Sequence, residues 1–308
     1  MVRPDFTLIA EVLMLASGFL TASSLSIKVA QVFSISGALL SQQMHYDWGL
    51  RAMKTVLVAA GHMKKNQPED DEASIVMHAL RSVTPRLVTD DVPVYLGLIA
   101  DMFPQQRLPK ASDSHMKAAL EKVLQEQHLQ AIPSFVEKGM ELYETQLLRH
   151  GLLVVGAPGV GKSTLILGLS RAMSHVREKE YNSCSTGSAQ HESFGITGNC
   201  EVLRVNPKAM EESLLFGKID SNTTEWLDGI VAARVRDAIV SQRSTHNWLV
   251  LDGPLDPNWA ENLNSALDDN KLLCLSNGER IVLPDNLKIF FEVAVRTVLS
   301  WFLGTLPN

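Results

Sequence analysis

Cysteine is scarce: Cys184, Cys200 and Cys274 are the only three in 308 residues. They are too few and too scattered for a disulfide framework or a zinc site, which points to a reducing compartment. Positive charge is not in excess either. A net charge of −6 gives no hint of a nucleic-acid partner or an anionic membrane surface. Long hydrophobic runs are absent, because Lys, Gln, Asp or Gly interrupts every apolar stretch before it reaches bilayer length. The opening Met-Val-Arg-Pro-Asp is no secretory signal, since an acid and a proline precede the first apolar stretch. No internal repeat is evident. These absences together imply a cytoplasmic protein with neither nucleic acid nor membrane as partner.

What is present supports real cores. Hydrophobic residues make up 45% of the chain, and 308 residues suggest two domains, or one and a half. Residues 1–103 read as all-helical: Phe6, Ile9, Leu13, Ala16 and Leu20 recur at steps of three and four, as do Leu50, Met53, Leu57 and Ala60. A polar break at 66–72 contains Pro68, and an apolar helical stretch from Val92 ends at Phe103 before Pro104. Residues 104–147 are amphipathic and charged, with helices expected at 114–127 and 134–148, and read as a connector. From 148 to 293 the pattern alternates strand and helix. Strands are expected at 152–155, 201–205, 248–251 and 287–293, with a helix marked by Val231, Val235, Ala238 and Ile239. That alternation predicts an α/β fold with a parallel sheet flanked by helices. Residues 272–283 carry Asn277-Gly278 between apolar runs, the signature of a hairpin with a type I′ turn. The polar stretch 176–200 reads as a surface loop.

The most specific feature is Gly156-Ala157-Pro158-Gly159-Val160-Gly161-Lys162-Ser163, a complete phosphate-binding loop followed by Thr164. Gly156 and Gly161 lack a Cβ, so the backbone can bend tightly and aim N–H groups at phosphates. Lys162 supplies a charge for the β- and γ-phosphates, and the Ser163 hydroxyl is placed to reach magnesium. The apolar run Leu152 to Val155 before it and the helical Thr164 to Met173 after it supply the strand and helix that the mechanism needs. ATP and Mg2+ are the cofactors this predicts.

A nucleotide site of this kind also needs an apolar strand ending in Asp, and Trp248-Leu249-Val250-Leu251-Asp252 fits, so Ser163 and Asp252 are the candidate metal ligands. Hydrolytic versions follow that Asp with Glu; here Gly253 stands there and has no side chain to act as a base. Asp256 and Glu261 are nearby in sequence as substitutes. The last strand, Leu287 to Val293, is expected beside the phosphate-loop strand, with Glu292 facing the γ-phosphate. A carboxylate there repels triphosphate unless magnesium or another cation intervenes. No catalytic residue is assigned, and ATP is expected to be bound with slow or absent hydrolysis. Asn270-Lys271-Leu272-Leu273 breaks the guanine-reading pattern of GTPases, and no arginine-rich kinase lid follows the sheet. A free-standing P-loop enzyme and a non-binding structural fragment remain the alternatives.

These residues resemble dynein heavy chains. Trp248 to Glu279 is similar to the magnesium-binding strand and following insert of the family's second AAA+ module, and Val205-Asn206-Pro207-Lys208-Ala209, Leu215-Phe216-Gly217 and Glu225-Trp226-Leu227-Asp228-Gly229 agree. His45-Tyr46-Asp47-Trp48-Gly49-Leu50-Arg51-Ala52 resembles the helical small subdomain of the first module, as does Asp91 to Pro104. The resemblance covers roughly residues 1–293 and looks more axonemal than cytoplasmic. It implies that 1–103 is the lid of a first module, 104–147 a helical connector, 148–293 the large subdomain of a second, and 294–308 an atypical, truncated tail. It implies regulatory ATP binding here and turnover in a neighbouring module. Partners would be neighbouring AAA+ modules of the same chain and other dynein chains, with microtubules reached only through parts outside this segment. Arg51 would be a sensor arginine toward the first module. Against the family's pattern, 176–200 is long, the fifth strand is missing, and Ala294-Val295-Arg296-Thr297 stands where an arginine-finger string is expected.

Overall fold

A computed structural model describes residues 5–66, 69–104, 114–184, 199–220, 222–223, 225–241, 245–268 and 270–294. The chain divides into a unit up to residue 111 and a unit from residue 112. The described part of the first is helical: α1 (Phe6–Ala16), α2 (Ala22–Leu39), α3 (Leu50–Asn66), α4 (Glu72–Arg81) and α5 (Asp91–Met102). Carboxylates start two of them. Asp5 accepts the N–H groups of Thr7 and Leu8 at 3.0 and 3.3 Å, and Asp71 accepts that of Ser74 at 3.4 Å. At the end of α1, the N–H groups of Gly18 and Phe19 turn back onto the carbonyls of Leu15 and Met14, at 3.0 and 3.1 Å. That turn breaks the expected apolar stripe. Ala10 and Met14 form the buried face, Phe6, Ile9 and Leu13 are half-buried, and Leu20 lies beyond the helix in solvent.

Two polar anchors tie this unit together. Trp48 packs edge-on to Phe33 and Tyr46, with ring centroids 5.9 and 6.0 Å away, and against Tyr95 at 5.8 Å. The Tyr46 hydroxyl donates to Asp91 at 2.7 Å and accepts the Val88 N–H at 2.8 Å, so the loop before α3 is fastened to the start of α5. The second anchor is Glu72, which is buried. Its carboxylate accepts the N–H groups of Leu20 and Thr21 at 2.9 and 2.8 Å, together with the Thr21 hydroxyl, and Lys64 stands 3.5 Å away. These N–H groups directly precede α2, so an acid at the start of α4 satisfies donors that no side chain in their own segment caps.

The second unit opens with α6 (Ser114–Glu126) and α7 (Pro133–Leu148), where Pro133 presets the first turn of α7. Then follow β1 (Gly151–Val155), α8 (Lys162–Cys184), β2 (Asn199–Val205), α9 (Glu212–Phe216), β3 (Gly217–Ile219), β4 (Trp226–Asp228), α10 (Ile230–Val240) and β5 (Thr245–Asp252). The chain continues through α11 (Pro257–Ala260), α12 (Asn264–Leu267), β6 (Leu272–Cys274), β7 (Arg280–Val282) and β8 (Leu287–Val293). The main sheet runs β1-β8-β5-β2, and every pairing in it is parallel. The last strand therefore lies beside the phosphate-loop strand, as its sequence suggests. Side-chain alternation gives the sheet two cores. Leu152, Trp248, Val250 and Phe290 pack with Leu120, Val136, Ile166 and Leu169 of α6, α7 and α8. Leu249, Leu251, Ile289 and Phe291 pack on the other side with Val231, Val235, Trp259 and Leu263. The helices placed by sequence in a connector thus fold against the sheet.

Two local expectations change. Residues 176–184 continue α8 and Asn199-Cys200 begin β2, because the helical run outlasts its apolar stripe; residues 185–198 lie outside the described residues, as do Pro68 and Arg296. The β6–β7 hairpin forms with a different turn. Leu275 and Glu279 close it at 2.9 Å, the Gly278 N–H bonds the Leu275 carbonyl at 3.0 Å, and Gly278 is left-handed (φ 86) while Asn277 is not. That is a three-residue loop with one left-handed position rather than the type I′ pair.

Burial alone would raise the Glu72 carboxyl, but the bonds from Thr21 and Leu20 and the nearby Lys64 override it and hold it at about 2, below its ordinary 4.5. A depressed carboxyl stabilises above its unfolded pKa and loses that contribution as pH falls through the folded one. Glu72→Gln should therefore cost the 308-residue chain about 2 kcal/mol at neutral pH. In urea titrations the gap to wild type should narrow as pH drops from 4.5 towards about 2.

Candidate nucleotide site

β1 ends at Val155 and α8 begins at Lys162, so the phosphate loop connects a sheet strand to a helix N-terminus; contrary to the buried strand expected from sequence, β1 lies at the edge of the described sheet and buries Leu152 alone. Gly159 and Gly161 adopt left-handed conformations, φ 82 and φ 90, which turn the backbone tightly enough to enter the helix. A Cβ at Gly159 would meet nothing within 4 Å, whereas one at Gly161 would lie 3.0 Å from the Phe135 ring of α7. Residues 157–160 are exposed. The Lys162 ammonium donates to the carbonyls of Gly156 and Ala157, both at 2.9 Å, and so sits inside the loop it serves. Thr164 is half-buried in the first turn of α8.

The carboxyl ends of three adjacent strands supply the rest. Counting by twos along the face covered by α8 gives Cys200, Val202 and Arg204 on β2, Trp248, Val250 and Asp252 on β5, and Phe290 and Glu292 on β8. Parallel register puts Asp252 beside Glu292 and Glu292 beside Val154. The Ser163 hydroxyl donates to Glu292 at 2.6 Å and accepts from Arg204 Nη2 at 2.6 Å. Arg204 also donates through Nε to Asp252 at 3.1 Å and through Nη2 to Glu292. Glu292 is 7% exposed, and a carboxylate so buried needs a charged partner; the guanidinium provides it. The cation that the position of Glu292 calls for is thus a side chain. Sequence reasoning missed Arg204, although period-two counting from Val202 in a strand expected at 201–205 would have placed it on the site face.

The substitutes considered for the missing base are not brought to this cluster. Asp256 accepts the Asn258 N–H at 3.0 Å and caps α11, and Glu261 is exposed in the turn after it. Gly253 follows Asp252 directly, and a Cβ there would approach the Asn206 side-chain oxygen to 3.1 Å. Arg51 is exposed on the first turn of α3, in the other unit. Among the described residues no group of three or more His, Cys, Asp or Glu converges as a metal site.

The loop suits a triphosphate: it offers backbone donors, a lysine, and a mouth open to solvent. Magnesium fits less well. Ser163 and Asp252, the atoms that would hold or orient it, are already bridged by the Arg204 guanidinium.

A glycine-turned loop between strand and helix, on a parallel sheet ordered β1-β8-β5-β2, defines a P-loop α/β module of the AAA class. Residues 189–300 match the family described as AAA domain (dynein-related subfamily), and residues 1–163 that described as hydrolytic ATP binding site of dynein motor region. Similar proteins include dynein axonemal heavy chain 9 of Homo sapiens, 38% identical over 296 residues, and the ciliary dynein beta chain of Tripneustes gratilla, 38% over 295. The cytoplasmic dynein heavy chain of Paramecium tetraurelia is 37% identical over 310. These matches take in 95–96% of this chain, which spans about 6% of the length of each relative. The chain belongs to the dynein heavy chain family.

The loop geometry separates its glycines. Gly159→Ala should cost about 1 kcal/mol, the strain of a left-handed alanine. Gly161→Ala adds the encounter with Phe135 and should cost about 2–3 kcal/mol. Urea denaturation of both variants gives the order, and equal losses would contradict it.

Proposed function

We propose that this chain is a nucleotide-binding segment of a dynein heavy chain in which ATP is held and sensed rather than turned over. The observation that carries the reading is the pairing of a complete phosphate loop with a strand end, Asp252-Gly253, that lacks a base. The N–H groups of 156–163 and the Lys162 ammonium would bind the phosphates, and Lys162 would exchange its loop carbonyls for phosphate oxygens. Bound nucleotide of this kind is ordinarily accompanied by magnesium, which shields phosphate charge; Ser163 and Asp252 are the residues that would hold it, and they could do so only once released from the Arg204 guanidinium. Gly253 leaves no side chain to orient an attacking water, and Asp256 is engaged as a helix cap.

In this reading, residues 1–103 are the helical lid of one AAA+ module, 104–147 join it to the next, and 148–293 form the large subdomain of that second module. Arg51 would address nucleotide in the first module. Binding would favour one packing between modules, and the whole motor would convert that bias into ATP-driven, microtubule-based movement. Partners would be neighbouring modules and other dynein chains. The names of the axonemal and ciliary relatives support a place in the ciliary axoneme.

Titration of the 308-residue chain with a fluorescent ATP analogue tests the reading. Saturable binding is expected, and Lys162→Ala should weaken it by about tenfold or more, roughly 1.4 kcal/mol or above. Steady phosphate release should not exceed that of Lys162→Ala; release well above it would show that the site hydrolyses.

A further inference from the structure

We propose that Arg204 is the resident cation of this site, doing for the phosphates and the two carboxylates what a divalent ion does elsewhere, so that nucleotide binding here does not depend on magnesium. The inference rests on the reading of residues 156–163 as a nucleotide site.

Three observations carry it. The first is placement: Arg204 ends β2 on the face covered by α8 and reaches across β5 to Glu292 on β8. Its guanidinium joins the three groups a metal would join, the Ser163 hydroxyl, Asp252 and Glu292. The second is hydrogen-bond use. Ser163 donates to Glu292 and accepts from Arg204, so its proton and one of its two lone pairs are already engaged by protein groups. The third is charge. Glu292 is 7% exposed and Asp252 is 46% exposed, and Arg204 is the cation that meets both. Lys162 and Arg204 together balance the two carboxylates, so the site does not present net negative charge to a triphosphate. Magnesium would have to expel a tethered cation and shed tightly held water to take the same place. Arg204 spends Nε and Nη2 on the protein, and Nη1 makes no hydrogen bond among the described residues, which leaves two N–H donors for a phosphate oxygen.

The test measures affinity of the full 308-residue chain for a fluorescent ATP analogue in excess MgCl2 and in EDTA. Wild type should bind within about threefold in the two media. Arg204→Ala should bind about tenfold or more weakly in EDTA and recover in MgCl2, because removal of the guanidinium frees Ser163 and Asp252 for the metal. Arg204→Lys should fall between, keeping the charge but not the three-way bridge. A tenfold loss for wild type in EDTA overturns the assignment, and needs no variant to fold. Indifference of Arg204→Ala to magnesium also overturns it. Absence of wild-type binding in both media overturns the nucleotide reading itself, a result distinct from either of these.

Discussion

Parallel pairing of β8 between β1 and β5 is the constraint on which the site depends. It makes all three strands end on the same side of the sheet, and their two-residue periodicity then decides which side chains meet. Val154, Asp252 and Glu292 fall in line by register, and Arg204 joins from β2. The apolar residues one step back, Val250 and Phe290, are buried under α8 and fix the height at which the polar ends emerge. Chemistry at the rim and packing in the core are therefore one arrangement read at successive positions along each strand. Trp248 against Phe290, 4.6 Å between ring centroids, lies at the base of that ladder.

Much of this was legible from residue order. A phosphate loop bracketed by an apolar run and a helix dictates strand, turn and helix on chemical grounds, and the four main strands read as short apolar segments separated by helical ones. The place of β8 beside β1 followed from the architecture those elements imply. What was hidden depended on long-range register at Arg204 and on local backbone turns and run lengths elsewhere. Arg204 looked like an ordinary polar residue in a strand, because its partners lie 48 and 88 positions away. Leu20 looked like the next step of an apolar stripe until the backbone turned at Gly18. The extension of α8 to Cys184 was obscured because residues 177–184 are mostly polar and carry no apolar periodicity in the sequence. The turn at Asn277-Gly278 was found, but its type depends on how Leu275 and Glu279 close the hairpin.

The helical unit shows the same logic in another setting. Glu72 is an acid in the first turn of one helix that serves the N-terminus of another, and Tyr46 links Val88 to Asp91 through a single hydroxyl. In each case a buried or half-buried polar group accepts backbone N–H groups from another segment. The helices are set relative to one another by these few directed bonds, with Trp48 and Tyr95 filling the space around them.

The closeness of Asn206 to position 253 bears on what that position can carry. Asn206 caps the turn after β2 by accepting the Lys208 N–H at 3.1 Å, and its oxygen lies 3.1 Å from where a side chain at 253 would begin. A side chain at 253 would therefore press on the residue that caps the turn after β2, which must give way slightly to admit it. The two positions are sterically coupled: the room for a side chain at 253 is set by how far the Asn206 amide can shift.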